Sequence, residues 1–112
     1  MTSYRFGDVV LVPFPFTDQT TTKKRPAVVV SSDTYQDKKL DLILIAVTSQ
    51  SKTTLAFGEV RVDGWKKAGL LKPSIIKPVL TTVEKALVVK KLGGLEEPDR
   101  VNLQNALQDI LG

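Results

Sequence analysis

Two short apolar runs constrain the fold of this chain more than any other feature. Residues 26–32 read PAVVVSS and residues 40–47 read LDLILIAV, so both are rich in β-branched residues and nearly uniformly apolar. A strand with one face in water alternates polar and apolar residues, whereas a short run without that alternation is typical of a strand covered on both faces. We therefore predict two central strands, buried on both sides, in a β-sheet.

The remaining β segments are shorter and interrupted. Residues 9–12 run into Pro13 and Pro15, which predicts an edge or a bulge at that strand's end. Residues 58–62 alternate polar and apolar and end at a turn dipeptide, and residues 74–79 form a short strand interrupted by Pro78. Residues 17–25 are polar and predict a mobile loop, while residues 83–92 fit a strand followed by a turn of helix.

The chain ends in its clearest helical pattern. Pro98 stands at a first turn rich in acids, and apolar residues follow at three- and four-residue steps: Leu103, Ala106, Leu107, Ile110 and Leu111. Short strands with one terminal helix predict a mainly β fold, a small and strongly bent antiparallel barrel with the helix packed on it. Residues 1–112 contain no repeat or linker and are predicted to form a single domain.

Composition excludes several classes of chemistry. The chain has no cysteine and no histidine, which removes disulfides, thiolate nucleophiles, Cys/His metal sites and Ser-His-Asp catalysis. No close pair of acids suggests a Mg²⁺ site, so neither a metal nor a cofactor is expected. The net charge of +4 suits an anionic partner. The N-terminus lacks the apolar core of a signal peptide and no apolar run approaches roughly 20 residues, which predicts a cytoplasmic protein without a membrane segment.

Two polar stretches beside the central runs carry the candidate functional residues. Lys23, Lys24 and Arg25 lie directly before the first run, and residues 48–52, TSQSK, directly follow the second. The planar fork of arginine can grip two phosphate oxygens, and hydroxyls can donate to phosphate. The alternatives are a solvated basic loop that protects a sheet edge and a turn whose hydroxyls bond their own backbone. The residues alone leave these alternatives open.

Three further features have less certain roles. Trp65 precedes two lysines, an arrangement that fits stacking on an unpaired base, although we expect it to pack in the core or an interface. Ser74 fits either a helix cap or a phosphate contact. Phe14 and Phe16 share a face and are expected to fill the core or a dimer seam.

Six short motifs follow one another in a set order along nearly the whole chain. They are residues 7–12 (GDVVLV), 25–31 (RPAVVVS), 47–49 (VTS), 69–77 (GLLKPSIIK), 82–83 (TV) and 90–93 (KKLG). In order and spacing they resemble the PemK/MazF family of type II toxin–antitoxin toxins. No single tetrapeptide is diagnostic, but the ordered set is fairly specific.

The resemblance implies an SH3-like, PemK-like barrel, a homodimer, and a metal-independent endoribonuclease that cuts single-stranded RNA, often mRNA, at a short sequence. Attack by the 2′-hydroxyl would leave a 2′,3′-cyclic phosphate and a 5′-hydroxyl. A cognate antitoxin protein would cover the site, and the complex of the two would bind DNA. The family's catalytic pair falls on Arg25 and Thr48. The other candidate RNA contacts are Asp18, Gln19, Lys23, Lys24, Ser49, Gln50, Lys52, Ser74 and Lys77.

The sequence departs from the family pattern at the expected base. Some members are thought to use a histidine in the first loop and an acid or an arginine on the later strand, where this chain has Asp18-Gln19 and Lys77-Pro78. The base is therefore Asp18, another carboxylate, or absent. Two alternatives follow: a non-catalytic module of the same fold that binds nucleic acid or a protein such as gyrase, and a degenerate toxin kept as a stable dimer.

Overall fold

Six antiparallel strands and two helices make up the part of the chain that the structure, a computed structural model, describes: residues 3–13, 23–50 and 53–112. The strands are β1 (Asp8–Pro13), β2 (Lys24–Val29), β3 (Asp41–Ser49), β4 (Val60–Val62), β5 (Ser74–Glu84) and β6 (Lys90–Gly94). The helices are α1 (Asp33–Lys38) and α2 (Glu97–Leu111). The sheet has the order β4-β5-β3-β2-β1-β6 and curls into a half-barrel, which confirms the predicted mainly β fold with a C-terminal helix.

The two apolar runs occupy the predicted central strands. β2 and β3 pair in the middle of the sheet, with Val28 opposite Ile45 and Ala27 opposite Ala46. Val28 and Ile45 belong to one buried core cluster, whereas Ala27 and Ala46 belong to a second one. Because successive side chains of a strand point to opposite faces, both faces of these strands are buried. This double burial explains why neither run alternates in polarity.

Pro78 does not end its strand as the sequence predicted. β5 continues through it for 11 residues, from Ser74 to Glu84. The register with β3 shifts at this point, since Ile45 pairs with Leu80 whereas Val47 pairs with Ile76. A bulge of this kind is one of the few places where a sheet tolerates a proline, because three residues of β5 (77–79) stand there opposite a single residue of β3 and part of the ladder is interrupted. The segment predicted as strand and helix turn is the end of β5, a 3-10 turn at Lys85–Leu87, and β6.

β1 behaves as its prolines predict. It pairs with β2 as far as Pro13, but its pairing with β6 ends at Leu11. The last residues of the strand therefore form an edge on the β6 side. A register shift between Val9 and Val10 also places a bulge in the β1–β6 ladder.

Helix α1 is a correction to the predicted single helix. Ser32 caps it by accepting a hydrogen bond from the Tyr35 amide at 3.1 Å, and the buried Gln36 donates to the Ser31 carbonyl at 3.1 Å. Six residues held by a cap and a polar contact carry no apolar periodicity, which is the signal that sequence patterns supply for helices. The sign of this helix in the sequence is its start, Ser32-Asp33, since serine is a preferred N-cap residue and an acid suits the first turn.

Helix α2 agrees with the prediction. It packs Leu103, which is fully buried, into the first core cluster beside β4. Asp99 in its first turn is also buried, and its two carboxylate oxygens accept from the backbone amides of Asp63 (3.3 Å) and Gly64 (2.9 Å). The helix thereby fixes the turn that follows β4.

Two glycines bring the segment between β4 and β5 against β6. Gly69 has φ +88°, and a Cβ atom there would overlap the Leu92 carbonyl; a Cβ atom on Gly93 would overlap the carbonyl of Ala68. Only glycine permits both the left-handed backbone and this approach. The contact places residues 69–72 beside β6, at the end of the sheet where β2 begins and β3 ends.

Candidate functional site

A cavity of about 730 Å³ lies at that end of the sheet. Its wall combines β1, the start of β2, the end of β3, the segment brought in by Gly69, and β6. The lining residues are Leu11, Lys24, Arg25, Pro26, Val47, Thr48, Ser49, Gly69, Leu70, Leu71, Lys72, Ser74, Lys90, Lys91 and Leu92. The volume falls within the range of roughly 300–1,000 Å³ that is usual for ligand sites.

The structure brings Arg25 and Thr48 together. The β2–β3 ladder ends at the pair Ala27 and Ala46, and two residues further on the two strands carry Arg25 and Thr48. Because both positions are two residues from a directly opposed pair, they share one face of the sheet at the same level. Both side chains are half-buried and both residues line the cavity. Two residues 23 positions apart in the sequence thus form one polar pair.

Positive charge dominates the cavity wall. It contains the cationic residues Lys24, Arg25, Lys72, Lys90 and Lys91, and no carboxylate among the described residues that line it. Lys91 Nζ lies 3.4 Å from Oδ1 of Asp8, whose side chain is largely buried, so this cation is partly neutralised. Converging cations in a concave site with apolar walls concentrate an anionic ligand and accelerate its association. The charge and shape of the cavity suit an anionic ligand.

The three hydroxyl residues of the wall differ in availability. Ser49 is exposed and Thr48 half-buried, whereas Ser74 is buried and opposite Ser49 in the β3–β5 ladder. The Ser74 hydroxyl donates to the Lys72 carbonyl at 2.8 Å. Because this hydroxyl proton is bonded to the turn before β5, Ser74 shapes the wall. Thr48 and Ser49 are then the hydroxyl residues of the wall that can donate a hydrogen bond to a ligand.

The other predicted contacts lie in different places. Lys23 is exposed and does not line the cavity. Gln50 lines a smaller cavity of about 130 Å³ next to the first, together with Trp65, which packs against the first core cluster as expected. Lys77 lies outside both walls, with its Nζ 2.7 Å from Oε2 of Glu59. Asp18, Gln19 and Lys52, like Phe14 and Phe16, lie outside the described residues.

Sequence reasoning did not select three cations of the wall. Lys72 precedes β5, and Lys90 and Lys91 lie on β6 opposite Leu11 and Val10. Their signal was weak, because lysines in short segments usually mark a solvated face. Only the approach of the Gly69 segment to β6 makes them neighbours of Arg25.

The described residues contain neither a cluster of metal ligands nor a membrane-spanning helix. Within residues 3–13, 23–50 and 53–112, no group of three or more acidic side chains is placed to hold a metal ion. In the same ranges, no helix is long and apolar enough to cross a membrane.

The fold and the cavity define a small β half-barrel protein with a cationic cavity at the ends of its two central strands. The chain matches the family model of the PemK-like, MazF-like toxins of type II toxin–antitoxin systems over residues 5–111. It therefore belongs to this toxin family.

Solved structures with the same fold come from several bacteria. An endoribonuclease from a mycobacterial species, solved in complex with its cognate antitoxin, has 16% identity and a TM-score of 0.77, covering 98% of this chain and 96% of its own. A second mycobacterial endoribonuclease has 17% identity and a TM-score of 0.76, covering 100% and 94%. A MazE–MazF complex from Deinococcus radiodurans has 18% identity and a TM-score of 0.73, covering 100% and 98%. At these identities the likeness shows the fold. No sequence among curated proteins matches this chain.

Proposed function

We propose that this protein is a metal-independent endoribonuclease that cuts single-stranded RNA and acts as the toxin of a toxin–antitoxin pair. One observation carries the proposal: Arg25 and Thr48 lie at the same level on adjacent central strands, in a cavity with five cationic residues and no carboxylate in its described wall. Membership of the toxin family and the endoribonuclease names of two structural neighbours support it.

The reaction needs little covalent help from the protein. The ribose 2′-hydroxyl attacks the adjacent phosphorus, a 2′,3′-cyclic phosphate forms, and the bond to the 5′-oxygen breaks. Negative charge builds on the phosphorane oxygens, and preorganised donors that meet this charge lower the barrier. Arg25 binds the non-bridging oxygens and donates a hydrogen bond toward the departing 5′-oxygen, which takes its proton from water. Thr48 donates a further hydrogen bond that fixes the phosphate.

The proton of the 2′-hydroxyl needs an acceptor. The chain has no histidine, and the described cavity wall has no carboxylate. Asp18, outside the described residues, or solvent water takes this proton. The same observation favours one alternative function, a cavity that binds RNA without cutting it.

The proposed partners follow from the surface near the cavity. Leu71 lines the cavity and is 92% exposed. An apolar side chain in this position, beside Lys72, suits the segment of a cognate antitoxin that covers the cationic wall. The two neighbouring complexes support an antitoxin partner.

We also propose a homodimer. It is supported by four exposed apolar residues on β5 and the segment leading to β6: Val79, Leu80, Leu87 and Val89.

The test is cleavage of a long unstructured RNA by purified protein in EDTA, with the chemistry of the new ends determined. We expect discrete cuts with a 5′-hydroxyl and a 2′,3′-cyclic phosphate. Arg25→Ala, purified in the same way, should cut roughly 10²- to 10³-fold more slowly, since it lacks one preorganised donor. This variant also controls for contaminating nuclease.

Two results would contradict the proposal. A fully active Arg25→Ala protein would show that the cut is made elsewhere or by another enzyme. RNA that stays intact with folded wild-type protein, but binds to it, would favour the non-catalytic alternative.

A further inference from the structure

The smaller cavity adjoins the cationic cavity and is lined by different chemistry. Its wall consists of Gln50, Arg61, Val62, Asp63, Trp65, Pro73 and Ser74. Ser74 lines both cavities, Gln50 follows Ser49 in the chain, and Pro73 joins Lys72 to Ser74. The two cavities therefore adjoin each other, so one extended ligand can reach both.

We propose that this smaller cavity receives one guanine base next to the cut, and that Asp63 is the residue that selects it. The inference rests on the proposed function in that the ligand of the larger cavity is single-stranded RNA. It adds the identity of the base that the smaller cavity binds and the residue that recognises this base.

The size of the smaller cavity favours one base without its sugar and phosphate. Its volume of about 130 Å³ is well below the range of roughly 300–1,000 Å³ found for drug-sized ligands. A nucleotide with its phosphate would not fit. The backbone phosphates would remain in the cationic cavity while one base turns aside, which is the usual way in which proteins read unpaired RNA.

The wall matches a base better than it matches a phosphate. Arg61 also lines this wall, where its guanidinium donates to the Thr53 carbonyl at 3.1 Å. Asp63 contributes an acceptor-only carboxylate, Gln50 contributes an amide, and Trp65 contributes an aromatic surface. The Trp65 ring packs against the first core cluster, and Lys66 Nζ lies 5.4 Å from its centroid. The packing against the core fixes the position of the indole, so it forms a fixed part of the wall.

Asp63 is held where it can discriminate. Its amide donates to Asp99 Oδ1 at 3.3 Å, and the next amide, of Gly64, donates to Asp99 Oδ2 at 2.9 Å. Asp99 is buried in the first turn of α2, so this support is rigid. A binding group whose backbone is fixed by buried hydrogen bonds reads a ligand more precisely than one on a mobile loop.

Guanine is the base that best fits a carboxylate. Its Watson–Crick edge offers two adjacent donors, N1–H and N2–H, which match the two acceptor oxygens of Asp63. Adenine and cytosine offer one amino group beside an acceptor, and uracil offers one N–H between two acceptors, so each would place an oxygen or nitrogen lone pair near the carboxylate. The Gln50 amide supplies a donor for guanine O6.

The test measures binding of short RNAs that cannot be cut. The probes are 2′-fluoro pentanucleotides of uridine with a central guanosine or a central inosine, which lacks the N2 amino group. The 2′-fluoro group removes the attacking hydroxyl, so the result does not depend on whether the protein is a nuclease. Wild-type protein should bind the guanosine probe roughly 5- to 150-fold more tightly than the inosine probe.

Asp63→Asn should bind both probes equally, because the amide no longer accepts from both donors. Asp37→Asn makes the same chemical change on the exposed side of α1 and should keep the wild-type preference. Equal binding of the two probes by wild-type protein, or a preference that survives in Asp63→Asn, would overturn the inference. The inosine comparison uses unaltered protein, so a folding defect in the variant cannot produce it.

Cleavage mapping separates this inference from the proposed function. If the protein cuts RNA, guanine should dominate one position beside the cut in the wild type and lose that dominance in Asp63→Asn alone. Cuts without any guanine preference would remove the inference and leave the nuclease. Guanine-selective binding without cuts would remove the nuclease and leave the base pocket.

Discussion

The cationic cavity and the flank formed by β4, the adjoining residues Glu59 and Lys77, and α2 use charged residues in opposite ways. On the flank, Asp99 is buried and accepts from two backbone amides, and Lys77 and Glu59 form an ion pair in which the Glu59 side chain is only 5% exposed. In the cavity, five cationic residues converge without a carboxylate in the described wall. The charges on the flank hold the fold together, whereas the cations of the cavity line the space that a ligand would fill, although Lys91 is also paired with Asp8.

This difference separates structural from functional charge without reference to any relative. A buried charge is tolerated when hydrogen bonds or an opposite charge compensate its lost hydration. Like charges gathered around one space repel one another, so an anionic partner is their natural complement. The two regions should therefore respond differently to the same kind of substitution.

The largest expected effect on stability is on the flank, at Asp99. Asp99→Ala leaves two amides without their acceptor, and each hydrogen bond to a charged group contributes about 1.5–3 kcal/mol. We expect a loss on the order of 3 kcal/mol in the free energy of unfolding, measured in urea. Asp99→Asn keeps one acceptor oxygen and should lose about half as much. A loss near zero for Asp99→Ala would break the comparison, because the flank would then not depend on its charges.

A smaller effect is expected at Lys77, which the sequence predicted as an RNA contact. Lys77→Ala removes the partner 2.7 Å from Glu59 and should cost about 1–3 kcal/mol of stability. RNA affinity, and its dependence on salt, should stay at the wild-type values. Parallel urea titration and binding of a 2′-fluoro RNA would test this. A weaker salt dependence would mean that Lys77 contacts RNA and that the two regions are not distinct.

The smallest effect is expected in the cavity, at Lys90. Lys90→Ala removes one exposed cation, so stability should change by less than about 0.5 kcal/mol. The slope of log Kd against log salt, measured between about 50 and 200 mM, should fall by about 0.7, the value for one phosphate contact on a single strand. Lys38→Ala, an exposed lysine in the last turn of α1, is the matched control and should leave the slope unchanged.

Local patterns predicted the parts of the fold that have a strong local cause. The two apolar runs indicated the central strands because double burial removes polar alternation, and the spacing around Leu103 indicated α2 because a helix buries one stripe. Helix α1 was missed because a cap and one buried amide stabilise it in place of an apolar stripe. β5 was predicted too short because a bulge accommodates Pro78, and a bulge depends on the partner strand.

The candidate site likewise has a part that the sequence predicted and a part that depends on the tertiary structure. The positions of Arg25 before one central strand and Thr48 after the other are facts of the sequence, and the family resemblance that assigns them rests on motifs in the same sequence. Their meeting depends on the register of β2 against β3. Lys72, Lys90 and Lys91 join them because Gly69 and Gly93 let two backbones approach, and the Asp63 amide is held by a carboxylate 36 residues away. Sequence by itself determined the strand cores, the terminal helix and the absence of thiol and imidazole chemistry, since these follow from residue type and short-range periodicity. Tertiary structure alone decided which charges pair and which gather around a cavity, because electrostatic interactions depend on distances in space that are not encoded in separation along the chain.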